Sequence, residues 1–305
     1  GTFSTWSDGA ALSSFAYRRP AHQQVIAQTA QLDWYSEELF ARFAAARFRG
    51  SSAEQPVEVD AVVVTHGDAD HFDGLSEIRD SETHRTLRKR LFIYPKRVFH
   101  NGLVKGPATR DSKRVPDEEL FGATVPLPDG GLGIRELVDD PSAVDDARLN
   151  TPFRRWKKTL QHWAGRGPIE FRRLARGDRK AFEFLQDEGI EVDVLGPGSR
   201  YATVDGRRQT VLEFLREPPK DDNISVTGFD PAERAFSASH TINGHSVTLR
   251  VRYGNVRFFL GGDLNQQAMA ELNARYSKAE LNSEILKIPH HGSADFDFRL
   301  LKSIS

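Results

Sequence analysis

The sequence predicts an α/β layered fold, on three observations. Short apolar, β-branched segments at AVVVT (61–65), VRFFL (256–260) and EILKIP (284–289) read as buried strands. Each runs directly into a polar stretch that carries His or Asp. Helical spacing accompanies them, most clearly in NQQAMAELNARYS (265–277).

The elements follow in order. Residues 20–47 carry apolar side chains at roughly helical spacing, and Gly50-Ser51-Ser52 ends that run, so a helix is expected there. AVVVT is the next strand, and LFIYP (91–95) is a further strand candidate. From 102 to 190 turn clusters such as PLPDGGLG and DDPSAVDD alternate with short helical patterns, and this stretch is expected to be an insertion. IEVDVLGPGS (190–199) is strand then turn, and HSVTLRVRYGNVRFFLGGD is a strand pair joined at Tyr253-Gly254-Asn255. Gly196-Pro197-Gly198-Ser199 and Asp129-Gly130-Gly131 lack the Lys and the strand–loop–helix setting of a phosphate loop and are read as turns.

Composition excludes several classes. At 305 residues the chain can bury a sizeable core as one large domain or two small ones. The balance of 42 Lys+Arg against 43 Asp+Glu gives a net charge of −1, so no overall polycation or polyanion is present. No apolar run is long enough to span a bilayer, and no signal peptide precedes the chain, so a cytoplasmic location without membrane contact is expected. There is no Cys, which removes disulfides, thiolate metal sites and a Cys nucleophile.

The densest chemistry lies at His66-Gly67-Asp68-Ala69-Asp70-His71, just past a buried strand. Imidazole nitrogens and carboxylate oxygens are donors for Zn, Mn or Fe, and two metals sharing such a cluster make a hydrolytic nucleophile from water. A calcium loop of the EF-hand type is rejected, because Phe72 breaks its third acidic position and Arg79 stands where its Glu belongs. A solvated Asp/Gly turn accommodates one such residue more readily than four. Asp263, after Phe-Phe-Leu-Gly-Gly, would alone be a helix N-cap more readily than a ligand. His290-His291-Gly292-Ser293 follows EILKIP in the same way. Three strand ends each delivering His or Asp match how an α/β fold gathers a site at one sheet edge.

THGDADHFDG resembles the signature loop of the metallo-β-lactamase fold, in the variant with Asp at the second histidine. NGHSVTLRVRYGNVRFFLGGDLN and EILKIPHHGS are similar to the metallohydrolase domain of ComEC/Rec2 competence proteins and their soluble relatives. The likeness covers 55–75 and 243–293. It implies a metallo-β-lactamase-type αβ/βα sandwich, a single domain over 1–305 with 102–190 inserted. It also implies two divalent ions, Zn or Mn. His66 and Asp68 would hold one and Asp70 and His71 the other, with Asp263 bridging and His290 as the remaining ligand. His291 would touch the substrate or support a ligand, and Asp70 would orient or deprotonate the water. His245 is a further candidate ligand, whereas His240 reads as an ordinary surface histidine. Gly1-Thr2 matches the remnant of the family's Asp-Gly-Gly turn, and the family's strands continue past His-His-Gly-Ser. A longer polypeptide, incomplete here at both ends, is therefore expected, with a protein partner or further domains open.

Residues 152–180 hold ten Lys/Arg against Glu170 and Asp178, a net of +8 that leaves −9 elsewhere. Trp156, Trp163 and Phe171 interleave with these bases. Arg154, Arg155, Lys157, Lys158 and Trp156 are the expected contacts to a nucleic acid, through phosphate neutralisation and base stacking. The competing reading is an amphipathic helix with a solvated basic face and core aromatics. The expected function is a metal-dependent phosphodiesterase or nuclease. The alternatives are a small-molecule metallohydrolase (lactone, thioester, β-lactam or cyclic nucleotide) and a nuclease-like subunit that works only in a larger complex.

Overall fold

The computed structural model describes residues 51–217, 234–293 and 295–304, residues 47, 48 and 50, and three short strands before them. These residues are mixed α/β. They fall into two compact units, each assembled from separate stretches of chain: 1–102 with 139–174, and 103–138 with 175–305.

The first unit is organised by a six-stranded sheet. Its strands β1 (Phe3–Ser4), β2 (Phe15–Arg18) and β3 (Gln24–Ala27) run antiparallel. β5 (Ala61–Val63), β7 (Arg97–His100) and β12 (Glu170–Arg173) then add in parallel. β4 (Val57–Val59) and β6 (Ile93–Pro95) form a separate parallel pair. Gln24–Ala27 is thus a strand and not the expected helix, because the β-branched pair Val25-Ile26 aligns with Ala61 and Val62. The rest of that expected helix, up to residue 46, lies outside the described residues, as does Gly1-Thr2.

Among the described residues the longer helices of this unit are α1 (Asp73–Ser81) and α2 (Thr151–Ala164). Asn150 starts α2 by accepting the Phe153 N–H at 3.0 Å, with Pro152 in the first turn. Phe72 meets Phe153 with ring centroids 4.9 Å apart, and Trp156 meets Trp163 edge-on at 5.9 Å. Thr159 Oγ1 donates to Ser76 Oγ at 3.1 Å in the buried seam between the helices.

The second unit holds two four-stranded sheets. One takes β10 (Thr124–Pro126), β11 (Leu132–Ile134), β15 (Arg207–Glu213) and β14 (Arg200–Val204), in that order. Its core joins Phe121, Ile134, Leu212 and Phe214 to Ile242 of the short helix α3 (Ala238–Gly244). The other takes β13 (Ile190–Gly196), β16 (Thr248–Tyr253), β17 (Val256–Leu260) and β18 (Ile285–Lys287). Helices α4 (Gln266–Arg275), α5 (Lys278–Leu281) and α6 (Phe298–Ile304) supply Met269, Leu272, Leu281 and Leu300 to its core. A small hairpin, β8 (Thr109–Arg110) with β9 (Lys113–Arg114), completes the unit.

The stretch 102–190 is therefore not one inserted body. Residues 139–174 belong to the first unit, where β12 pairs with β7, and 103–138 belong to the second, where β11 pairs with β15. Parallel strands need long connections, so the broken pattern of these residues is the cost of crossing between sheet positions. Among the described residues no helix is long and apolar enough to cross a membrane.

Candidate metal-binding clusters

In the first unit the chemistry sits at the C-terminal end of β5, a strand flanked by neighbours on both sides. The Val64 N–H still donates to the Phe99 carbonyl at 2.8 Å, after which the chain leaves the sheet. Thr65 and His66 follow, both buried. A single 3-10 turn, Ala69–His71, folds the loop back so that His71 returns beside His66. Their ring centroids are 3.9 Å apart with planes tilted by 48°, and a nitrogen of each lies within 4.8 Å of one from the other. His66 is 1% exposed and His71 is fully buried. Thr65 Oγ1 lies 3.1 Å from His66 Nδ1 and fixes the ring through that nitrogen. Asp70 Oδ2 lies 3.5 Å from His71 Nε2, with a third of its side chain in solvent. Asp68 precedes the turn without capping it through its side chain. Two buried imidazoles in contact, with carboxylates at hand, suit a cation far better than they suit each other.

The second unit builds its cluster from β17 and β18, which lie parallel. β17 runs into Gly261-Gly262-Asp263. A side chain at Gly261 would come within 2.8 Å of Pro289, so glycine lets the Asp263 turn and the 289–292 turn approach. Asp263 is 3% exposed. Its backbone N–H donates to Ser246 Oγ at 3.0 Å. His291 Nε2 lies 2.9 Å from its Oδ2, and Lys287 Nζ lies 3.2 Å from its Oδ1 while donating to the Gly262 carbonyl at 2.7 Å. His290 and His291 both have left-handed backbones, with φ of 48° and 53°. That conformation costs a non-glycine residue about 1–2 kcal/mol each. The surrounding turn holds both histidines there regardless.

His291, not His290, reaches Asp263. His290 turns instead to Asn243, with Nδ2 and Nε2 3.4 Å apart. Neither His290 nor His245 joins a group of three or more metal-type donors among the described residues. His245 is buried with Nε2 against the Glu213 carbonyl at 2.6 Å, so its ring ties α3 to β15. Burial pushes its pKa down, partly offset by that hydrogen bond. His240 is no surface residue: it is buried, with Nδ1 3.5 Å from Asp295 Oδ2. Burial lowers its pKa against the pull of Asp295.

The expected nucleic-acid contacts on α2 are largely spent on folding. Trp156 is 2% exposed and packs on Phe72 and Trp163, so it has no face for a base. Arg155 bridges Asp73, Glu77 and Asp80 along one face of α1. Lys157 Nζ lies 2.6 Å from Asp146. Arg154 and Lys158 alone of the five expected contacts are exposed. The amphipathic-helix reading describes this segment: i, i+3 and i+7 spacing turns Phe153, Trp156 and Leu160 inward.

Sequence reasoning passed over Lys287, Asn243 and Ser246. The Leu-Lys before His-His and the Asn-x-x-Ser before β16 stood in the quoted motifs without a role. No family model matches this sequence, and no curated protein does.

Proposed function

We propose that this chain is a metal-dependent hydrolase of the metallo-β-lactamase type that acts on phosphodiesters of DNA or RNA. The observation that carries the reading is the contact between buried His66 and His71 at the end of β5, with Asp70 beside them. In the first unit His66 and His71, with Asp68 and Asp70, would hold a divalent ion such as Zn or Mn. In the second unit Asp263 and His291 offer the same donor types. When bound, such ions supply activated water and neutralise charge on the attacked group. Thr65 orients His66, and Asp70, a partly solvated carboxylate of the cluster, would accept a proton from water.

A small-molecule substrate is the second reading. Burial of Trp156 and neutralisation of Arg155 favour it, since both remove the strand guide expected on α2. One experiment separates the readings. Purified chain is loaded with Zn²⁺ or Mn²⁺, its metal content is measured, and it is given single- and double-stranded DNA and RNA beside a lactone, a thioester and a β-lactam. Metal-dependent nucleic-acid cleavage lost in Asp70→Ala supports the first reading, and turnover of the small esters alone supports the second. Failure of the chain to retain any divalent metal overturns both.

A further inference from the structure

The hairpin of β14 and β15 turns one face to solvent. Its two-residue turn, Asp205-Gly206, has φ of 50° and 73°, the left-handed pair that matches strand twist. Tyr201 pairs with Thr210 and Thr203 with Arg208 across the strands. These four side chains share one face, and all four are exposed. Ala202, Val204 and Val211 take the opposite face and are buried. Tyr201 is 57% exposed, and the Arg208 guanidinium carbon lies 3.8 Å from the centre of its ring. Arg207, next to the turn, is exposed too but pairs with Val204 and so lies on the other face.

These arginines differ from Arg155 of α2 and from Arg166 just beyond it. Arg155 and Arg166 each meet carboxylates, whereas no carboxylate pairs with Arg207 or Arg208 among the described residues. The Arg208 plane lies over one side of the tyrosine ring. A guanidinium stacked on a ring keeps its planar fork of N–H donors, the group that takes a phosphate. An exposed aromatic ring of this kind accepts a base only when the base is unpaired. β15 then leads from this face to Glu213, whose carbonyl holds His245.

We propose that the outer face of this hairpin binds single-stranded nucleic acid, with Tyr201 stacking on a base and Arg208 contacting a phosphate. The proposal rests on the phosphodiester reading for the identity of the substrate, but binding is measured apart from cleavage. The full chain is titrated in EDTA against fluorescent single-stranded DNA and RNA and a duplex of the same sequence, at several salt concentrations. Single strands should bind more tightly than the duplex. Tyr201→Ala should weaken binding by roughly ten-fold with the salt dependence unchanged, and Tyr201→Phe should restore it. Arg208→Gln should lower the log–log salt slope by roughly 0.7. Equal affinity for the duplex, no effect of Tyr201→Ala, or loss only on reversing Arg154 and Lys158 would overturn the proposal. Strand binding through Tyr201 without metal-dependent hydrolysis would uphold it while removing the hydrolase reading. Cleavage indifferent to Tyr201 and to Arg208 would do the opposite.

Discussion

Asn243 Nδ2 lies 3.4 Å from His290 Nε2, and Asn243 Oδ1 and His290 Nδ1 are both buried without a hydrogen-bond partner among the described residues. An amide N–H can only donate, so Nε2 accepts from Nδ2 and the ring proton sits on Nδ1. A half-turn of the carboxamide would satisfy Oδ1 only by setting the N–H groups in its partnerless place. Nitrogen-15 NMR of the His290 ring should therefore report the Nδ1–H tautomer. Asn243→Asp, whose carboxylate only accepts, should shift the proton to Nε2. An Nε2–H tautomer in the unmodified protein would count against this arrangement.

Lys287 and Asp263 form a pair in which both side chains are largely buried. Lys287→Met removes the buried cation and leaves the carboxylate with His291, a change expected to cost up to about 3–5 kcal/mol. A divalent ion would replace the missing positive charge. The melting temperature of Lys287→Met should therefore rise more on adding Zn²⁺ or Mn²⁺ than that of the unmodified chain. Equal rises would mean that Asp263 takes no part in holding the ion.

Trp156→Ala should destabilise the protein by about 3–5 kcal/mol, because the indole fills the seam between α1 and α2. The same substitution should leave nucleic-acid affinity unchanged once folded protein is compared with folded protein. Urea denaturation and anisotropy titration check the two halves. A strong loss of affinity with little loss of stability would restore Trp156 as a stacking residue.

His100 gives the fold a pH dependence. Burial holds its pKa down to about 4 against an ordinary 6.5. Its Nδ1 accepts the Gly102 N–H at 3.0 Å, and its Nε2 then donates to the Asp139 carbonyl at 3.1 Å, so the neutral ring is the one the fold accommodates. Between these two values the unfolded chain binds a proton that the folded chain does not. Stability is full above about pH 6.5 and declines as pH falls toward 4, by about 3 kcal/mol in total. His245, also held low by burial, adds in the same direction. Urea midpoints at pH 7.5 and 5 should differ less in His100→Gln than in the unmodified protein, and an unchanged difference would exclude His100 as the source.

Much of this was legible in the residues. β5, β17 and β18 announce themselves as short β-branched runs, and the polar loops at their ends carry the clustered side chains. The histidine order at 290 and 291 was not legible, because two consecutive left-handed residues redirect both rings and no pattern in Pro-His-His-Gly encodes that. The fate of the basic segment was ambiguous for a different reason. Spacing marks Trp156 as inward or as base-stacking equally well, and only the acids on α1, some 75–82 residues away, decide where Arg155 goes. β12 escaped notice because Glu170–Arg173 is charged at three of four positions, and its place is set by β7.

The first unit's sheet also sets a timetable for synthesis. β12 pairs with β7, yet about 70 residues separate His100 from Glu170. A ribosome adding roughly 5–20 residues per second needs roughly 4–14 s to cover that distance. Until then one edge of β7 stays unpaired on the nascent chain, open to the strands of another copy. Chains arrested before Glu170 should be cut by protease across β5 to β7, and chains arrested well beyond Leu174 should resist. Equal resistance at both lengths would mean that the sheet closes without its last strand.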